Sequence, residues 1–227
     1  MDGSAFYSSG RGAMLPHGPA VATGHAPMRA RRGIVAGTMV ATSTGWRAVE
    51  HLVPGDEVQT FDNGMQMIVE ITAEDIWHED SVALNDPLPI LMPAGALRNK
   101  APVTVLPHQG VLVESENACD AMGDPLAVVP ARVLIGVNGI DTSPPNGALT
   151  VFSLTFMNDE VIYADGGLLL HCPSEAETGE MMEAERLYDV KSLVEARQML
   201  TELDIAQLIL DEEGFDLYEA GALERVA

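Results

Sequence analysis

The chain has 227 residues and carries 34 acidic against 12 basic side chains, a formal net charge of −22 at pH 7. This charge excludes sequence-independent binding to nucleic acid and disfavours anionic membrane surfaces, because both are themselves negatively charged. Hydrophobic residues make up 47% of the chain, which argues against general disorder and is enough to bury a core.

The first 32 residues are rich in Gly, Ser, Ala and Pro and show no apolar periodicity, so residues 1–32 are predicted to form a flexible tail. They lack the pattern of a signal peptide, and no apolar stretch is long enough to span a bilayer. We therefore expect a cytoplasmic protein, with secretion by a C-terminal signal left open. Cys119 and Cys172 are expected to be ordinary buried thiols, because two cysteines do not build a disulfide framework, and a single bridge between them stays open.

Residues 34–64 contain the densest run of turn and strand signals in the chain. The apolar positions of residues 35–42 predict one strand, and those of residues 58–61 predict another. Pro54-Gly55 predicts a type II turn between them, because proline fixes the first φ and glycine accepts the positive φ that follows. Asn63-Gly64 is a strong hairpin signal, so the chain is expected to fold straight back after it.

Three blocks of this stretch have fixed spacing: a Gly-Thr pair followed by apolar residues, then Gly-Trp-Arg-x-Val-Glu-x-Leu, then Pro-Gly-Asp-x-Val-x-Thr-x-Asp-x-Gly. Their residues are Gly37, Thr38, Gly45, Trp46, Arg47, Val49, Glu50, Leu52, Pro54, Gly55, Asp56, Val58, Thr60, Asp62 and Gly64. The pattern resembles the opening of a Hint domain, the module shared by hedgehog autoprocessing domains and inteins, and is most similar to a bacterial branch of that family. So many matches are far more specific than a lone dipeptide.

The body of the chain, residues 33–173, is predicted to be mainly β, because short apolar runs alternate with turn residues. These runs cover residues 88–92, 103–106, 111–113, 149–157, 161–164 and 168–170, and residues 127–135 fit either a strand or a short helix. The runs at 149–157 and 161–164 are predicted to pair through a turn at Asn158-Asp159. The resemblance implies the Hint-like fold of short antiparallel strands.

Residues 174–227 differ in character, with fifteen Asp and Glu against four Lys and Arg. Apolar residues recur there at helical spacing, which predicts one or two helices between residues 180 and 213 in an acidic C-terminal segment. The apolar stripe of these helices is expected to pack on the β body or between helices. A stripe that binds a partner is the alternative.

The resemblance implies three positions at which self-processing members carry their chemistry. Their nucleophile, a Cys or Ser that attacks the preceding carbonyl, stands four residues before the glycine of the Gly-Thr pair, where this chain has Gly33. The hydroxyl and the imidazole that polarise the scissile amide correspond to Leu106 and Gln109, with His108 one place early. The chain is therefore predicted to lack the groups for autoproteolysis or splicing.

A His171-Cys172 pair resembles the terminal His-Asn of inteins and the residue that follows it, but the asparagine that cyclises is missing. We interpret the pair as strand-end residues. The first hypothesis for function is thus a Hint domain that is inactive in self-processing, is not an enzyme, and serves as a structural or interaction module for a protein partner still to be identified.

Two other hypotheses stay open. The chain could cleave itself with a non-standard nucleophile, the candidates being Thr38, Ser43 and Cys172, with His108 as a substitute imidazole. Alternatively it could be an unrelated hydrolase or metal enzyme built on His51, His78 and His108 with the acids Glu79 and Asp80. These histidines have no recognised metal-ligand spacing, so no metal and no cofactor are expected.

Overall fold

The computed structural model describes residues 32–77, 88–115, 123, 125–145, 147–174, 188 and 190–202. Within these residues the chain consists almost entirely of short strands. In chain order they are β1 (Ile34–Val35), β2 (Met39–Thr42), β3 (Gly45–Ala48), β4 (Glu57–Thr60), β5 (Gly64–Met67), β6 (Glu70–Trp77), β7 (Ile90–Met92), β8 (Val103–Val105), β9 (Gly110–Glu114), β10 (Leu126–Pro130), β11 (Asp141–Thr142), β12 (Leu149–Thr155), β13 (Glu160–Ala164) and β14 (Leu168–Cys172). Two 3-10 helices, Val49–His51 and Ala131–Leu134, and one α-helix, α1 (Leu193–Glu202), complete the described elements.

The strands form two sheets. The first has the spatial order β11-β7-β8-β1-β12-β6, and the second has the order β10-β9-β14-β13-β2-β4-β5 with β3 attached to β2. Every pairing between these strands is antiparallel. The predicted mainly β fold of short antiparallel strands is confirmed.

The strand predicted over residues 35–42 is wrong, because the chain changes sheet within it. β1 belongs to the first sheet and β2 to the second, with a turn at residues 36–37 between them. The residues that follow Asn63-Gly64 are likewise divided between the two sheets. β5 folds straight back on β4 as predicted, but β6 follows after two residues and pairs with β12 in the other sheet.

The predicted pairing of residues 149–157 with residues 161–164 is also wrong. β12 pairs with β1 and β6 in the first sheet, whereas β13 pairs with β14, β2 and β4 in the second. Alternating apolar residues identify each strand correctly, but the short turn between the two carries the chain from one sheet to the other. Local periodicity does not specify which neighbour a strand receives.

Other local predictions are confirmed. Gly55 has a φ of +98°, as the type II turn requires, and its N–H donates to Ile68 at 2.9 Å. Residues 127–135 adopt both of the predicted alternatives in succession, first β10 and then the 3-10 helix Ala131–Leu134.

The core lies between the two sheets and takes apolar side chains from both. Val40, Val58, Val111 and Ile162 of the second sheet are fully buried, and Ile90 of the first sheet is buried with them. Burial of a side chain of this size contributes about 1.5–3 kcal/mol relative to leaving it exposed. The two sheets therefore stabilise each other by packing their apolar side chains into one shared cluster.

Helix α1 packs on the second sheet. Lys191 N donates to Val128 O at 2.9 Å and brings the chain onto β10, after which Ala196 and Met199 join the main core. Ser192 and Glu195 bond each other's backbone N–H groups, so they form a capping box at the start of the helix. The predicted packing of a helix on the body is thus observed for α1. Residues 188 and 190–192 were also expected to be helical, but they are not, because Val190 forms a bridge with Val128 of β10. The rest of the predicted helical region and the predicted tail before Arg32 lie outside the described residues.

No helix within the described part of the chain is long and apolar enough to cross a bilayer.

Candidate functional site

Gly33 and Gln109, the two positions singled out by their missing chemistry, lie together. Ile34 of β1 pairs with Val105 of β8, which brings the loop after β8 beside the start of β1. The backbone N–H of Gly33 donates to Oε1 of Gln109 at 3.0 Å. This nitrogen belongs to the peptide bond between Arg32 and Gly33, the bond that a Hint domain would cleave at this position.

Gln109 is held in place by its own amide group. The side chain is only 2% exposed, and its Nε2 donates to His171 O at 2.8 Å and to Gly110 O at 3.1 Å. The donors at Nε2 face carbonyl oxygens and the acceptor Oε1 faces an N–H, so the network fixes the orientation of the amide. Gln109 thus links the start of β1 to the end of β14 through three backbone groups.

Gly33 occupies a position that leaves no room for a side chain. Its φ is +132°, which side chains other than hydrogen disfavour. A Cβ at this position would lie 2.3 Å from Cγ1 of Val151 and 3.1 Å from the carbonyl oxygen of Phe152. The backbone here is therefore adapted to glycine, and a nucleophilic side chain does not fit unless β12 moves.

A small cavity of about 90 Å³ lies beside this peptide bond. Its lining includes Gly33, Gln109, Ser153, His171 and Cys172. A cavity of this size has room for a few water molecules.

The other positions of the predicted site have structural surroundings. Leu106 is 3% exposed and packs with Val35 and Val151, so it is a core residue. Thr38 is buried, and its backbone bonds Val35 and Val49 at the turn between β1 and β2.

His108 lies in the turn before β9 and is half-buried. Burial lowers the pKa of its imidazole, and the charges of Arg132 and Arg32 lower the pKa further. The imidazole is therefore neutral at pH 7. No hydrogen bond from its side chain to Gly33 is formed, and that place is taken by Gln109.

His171 and Cys172 end β14, as predicted for strand-end residues. The Cys172 thiol is 4% exposed, and burial, followed by the charge of Glu160, raises its pKa to about 12. It is consequently a protonated, weakly nucleophilic thiol at neutral pH. His171 is 5% exposed, with Nε2 4.0 Å from Oδ2 of Asp159 and its ring in a T-shaped contact with the Tyr188 ring, at 5.8 Å between centroids.

The sequence analysis did not predict a network of buried polar groups that lies beside these residues. Glu160 is 1% exposed, and Nδ2 of Asn63 donates to both oxygens of its carboxylate, at 3.2 and 3.1 Å. Burial raises the pKa of its carboxyl; the hydrogen bonds of Asn63 and Thr60 oppose this. Tyr188 donates its hydroxyl to the carboxylate of Asp62, which lies 126 residues earlier in the chain. No local motif could indicate contacts between positions so far apart.

The remaining candidates do not converge. His51 is exposed at the end of the 3-10 helix Val49–His51, and Ser43 is exposed in the turn between β2 and β3. His78, Glu79, Asp80 and Cys119 lie outside the described residues. Among the residues that the structure covers, no three His, Cys, Asp or Glu side chains are grouped to hold a metal ion.

Comparisons with known proteins identify the family of the chain. The family model described as "Hint domain" matches residues 33–171, from the glycine beside Gln109 to the histidine whose carbonyl Gln109 binds. A similar solved structure is the solution structure of a bacterial intein-like domain from Clostridium thermocellum, with 15% sequence identity and a TM-score of 0.40 over 62% of this chain and 99% of that chain. No curated protein matches the chain. Because the family model covers well over half of the sequence, the chain belongs to the Hint domain family.

Proposed function

We propose that this Hint domain does not process itself at the Arg32–Gly33 bond and serves instead as a structural or interaction module. One observation carries the proposal: Gln109 accepts the N–H of Gly33, and Gly33 has neither a nucleophile nor space for one. An acyl shift needs a side-chain oxygen or sulfur next to the carbonyl of residue 32. Residue 33 supplies only hydrogen.

Gln109 also lacks the second property that cleavage requires. The leaving nitrogen of an amide must gain a proton as the bond breaks, and an acid placed on that nitrogen would supply it. Oε1 of Gln109 is an acceptor and carries no proton to give. Its hydrogen bond satisfies the intact peptide bond, so it stabilises the ground state rather than the transition state.

A second candidate function is self-cleavage by a non-standard nucleophile, and Cys172 is the residue that the geometry favours for it. Its thiol borders the same small cavity as Gly33 and Gln109. The pKa of the Cys172 thiol, which burial raises to about 12, argues against this candidate, because very little thiolate is present at neutral pH. Thr38 and Ser43 do not border this cavity.

Hydroxylamine trapping of the purified full-length chain separates the two candidates. At neutral pH, hydroxylamine reacts with esters and thioesters but not with ordinary peptide bonds, so the proposal predicts no fragment that begins at Gly33 and no hydroxamate at Arg32. Fragments that begin at Gly64, Gly139 or Gly147 are not counted, because hydroxylamine also cleaves Asn-Gly bonds. Cleavage at Arg32–Gly33 that disappears in Cys172→Ala would replace the proposal with the second candidate. Cleavage there that persists in Cys172→Ala would also contradict the proposal and direct the search to Thr38 and Ser43.

We further propose that the module works in the cytoplasm of a bacterium and binds protein rather than nucleic acid or membrane. The net charge of −22 supports this choice, because phosphate backbones and anionic lipids would be repelled. Pull-down from a lysate treated with nuclease, compared with an untreated lysate, tests it. Loss of all captured material on nuclease treatment would contradict the proposal.

A further inference from the structure

The hairpin of β4 and β5 exposes an unusual amount of apolar surface. Met65 and Met67 of β5 are 41% and 59% exposed, and they are two residues apart, so both side chains lie on the same face of the strand. Val53 and Val69, on the chain segments that flank this hairpin, are 51% and 48% exposed. Solvated strands of a stable sheet normally place polar residues on such a face.

β5 is also the last strand of the second sheet, with β4 on one side and no described strand on the other. The hydrogen bonds of its neighbours show which of its backbone groups point outward. Ile68 N donates to Asp56 O, whereas Glu57 O accepts from Ser43 on the opposite side of β4. Bonding alternates along an antiparallel pair, so Gln66 faces β4 while the N–H and C=O groups of Met65 and Met67 face away from the sheet.

Acidic side chains surround this edge. Glu57 lies opposite Met67 in the hairpin and is exposed, and Glu70 is exposed three residues beyond Met67. A second copy of the protein would bring the same carboxylates against them. These like charges, together with a net charge of −22, disfavour pairing of two copies through β5.

We propose that the edge of β5 binds an extended, basic segment of a partner protein as an additional strand. The outward backbone groups of Met65 and Met67 would provide the ladder hydrogen bonds, and lysine or arginine side chains would meet Glu57 and Glu70. Methionine side chains are flexible and polarisable, so they accommodate different apolar side chains of an added strand. The inference rests on the proposed role as an interaction module. Binding is measured on the uncleaved chain, so its failure is distinguishable from a failure of the cleavage assay.

The test uses a fluorescently labelled peptide, Val-Thr-Lys-Thr-Val-Thr-Lys, which places valine and lysine on one face of a strand. Two further probes have the same length: one carries proline in place of the central threonine, and the other carries glutamate in place of lysine. Polarisation is measured at physiological ionic strength. The proline probe keeps the charge but loses strand geometry, so it separates strand pairing from attraction to the acidic protein as a whole.

Three variants of the full chain locate the site. Met67→Pro removes an outward N–H and leaves the bonds of Gln66 to β4 intact. The double variant Met65→Lys/Met67→Lys keeps the backbone and repels a basic probe, so it tests the edge even if the proline variant fails to fold. Val194→Lys is the matched control, because Val194 is an exposed apolar residue on α1.

The expected result is binding of the basic probe only, about tenfold weaker in Met67→Pro and in the double lysine variant and unchanged in Val194→Lys. Equal binding of the proline probe, or equal binding by the edge variants, would overturn the proposal. So would concentration-dependent dimerisation of the unmodified chain that the edge variants abolish, since β5 would then be occupied by a second copy.

Discussion

Gln109 and Gly33 are 76 residues apart in the chain and are joined by a 3.0 Å hydrogen bond from the N–H of Gly33 to Oε1 of Gln109. The same side chain holds the carbonyl of His171 at the end of β14. A glutamine here has both a donor and an acceptor, so it satisfies an N–H and two carbonyl groups at once. The peptide bond before Gly33 is consequently part of a satisfied, buried backbone network.

The first prediction concerns the space at Gly33. Gly33→Ala should lower the free energy of unfolding by about 1–3 kcal/mol more than Gly37→Ala does, because the new Cβ overlaps Val151. Both glycines have positive φ, but a Cβ on Gly37 would meet nothing within 4 Å. Gly37→Ala therefore controls for an alanine at positive φ, and the cycle with Val151→Ala separates the clash from the strain that differs between φ values of +132° and +89°. Urea denaturation of the two variants measures the difference.

A double-mutant cycle with Val151→Ala checks the cause. Removing Cγ1 of Val151 should recover part of the loss in Gly33→Ala, whereas the carbonyl of Phe152 still limits the space. Additive effects of the two substitutions would show that Val151 is not the obstacle. The same obstacle explains why Gly33→Cys alone is not expected to restore a nucleophile.

The second prediction concerns Gln109. Gln109→Met keeps the length of the side chain but leaves the N–H of Gly33 and the carbonyl of His171 without their partner in a buried site. Each unsatisfied group costs about 1–3 kcal/mol, so we expect a loss of about 2–6 kcal/mol in thermal or chemical unfolding. His108→Leu, one residue away and half-buried, is the control and should cost much less. If Gln109→Met lost as little unfolding free energy as His108→Leu, water would have to replace the missing hydrogen bonds.

The third prediction is a pH dependence caused by Glu160. Burial raises the pKa of this carboxyl in the folded chain, so the native state holds the proton more tightly than the unfolded state does. The contribution of Glu160 to stability is then fully present at pH values below the unfolded pKa and is lost as the pH rises through the folded pKa.

Glu160→Gln removes this titration. At acidic pH the variant should have the same melting temperature as the unmodified protein, and at pH 8 it should be the more stable of the two. Calorimetry across this range measures the difference. A constant difference between the two proteins at every pH would show that the carboxyl of Glu160 does not titrate with a raised pKa.

The fourth prediction concerns the contact of the C-terminal segment with the hairpin. Tyr188→Phe removes the hydroxyl that binds Asp62 and should cost about 1.5–3 kcal/mol, the range for a hydrogen bond to a charged group. Tyr163→Phe is the control, because Tyr163 packs against Phe61 and no hydrogen bond of its hydroxyl is formed within the described residues. If Tyr188→Phe and Tyr163→Phe lost equal unfolding free energy, the hydrogen bond to Asp62 would contribute nothing to stability.

The part of the site that the sequence could predict depends on short-range signals. The spacing from Gly37 to Gly64 identified the family, and that resemblance implied the closeness of Gly33 and Gln109. Turns such as Pro54-Gly55 were predictable because backbone sterics act within two residues. The exclusion of a side chain at Gly33 was not, since it depends on Val151 of β12, more than a hundred residues away.

Long-range pairing accounts for the wrong predictions. β12 and β13 were expected to be hairpin partners because the turn between them is short. Instead β12 pairs with β6 in the first sheet and β13 pairs with β14 in the second, and each buries its apolar residues there. The bond between Tyr188 and Asp62 has no local signature for the same reason. Tertiary contacts decide these choices, and they override local propensity.

The intact mass of the purified chain over time tests the central claim most directly. The protein is incubated at neutral pH with and without a thiol reductant, and its mass is recorded at intervals over several days. We predict a single species at 24.2 kDa throughout, because residue 33 carries no nucleophile and the Gln109 atom that faces the nitrogen of Gly33 is Oε1, which has no proton to donate. Time-dependent appearance of two fragments that meet at the Arg32–Gly33 bond, faster in the presence of thiol, would contradict the account.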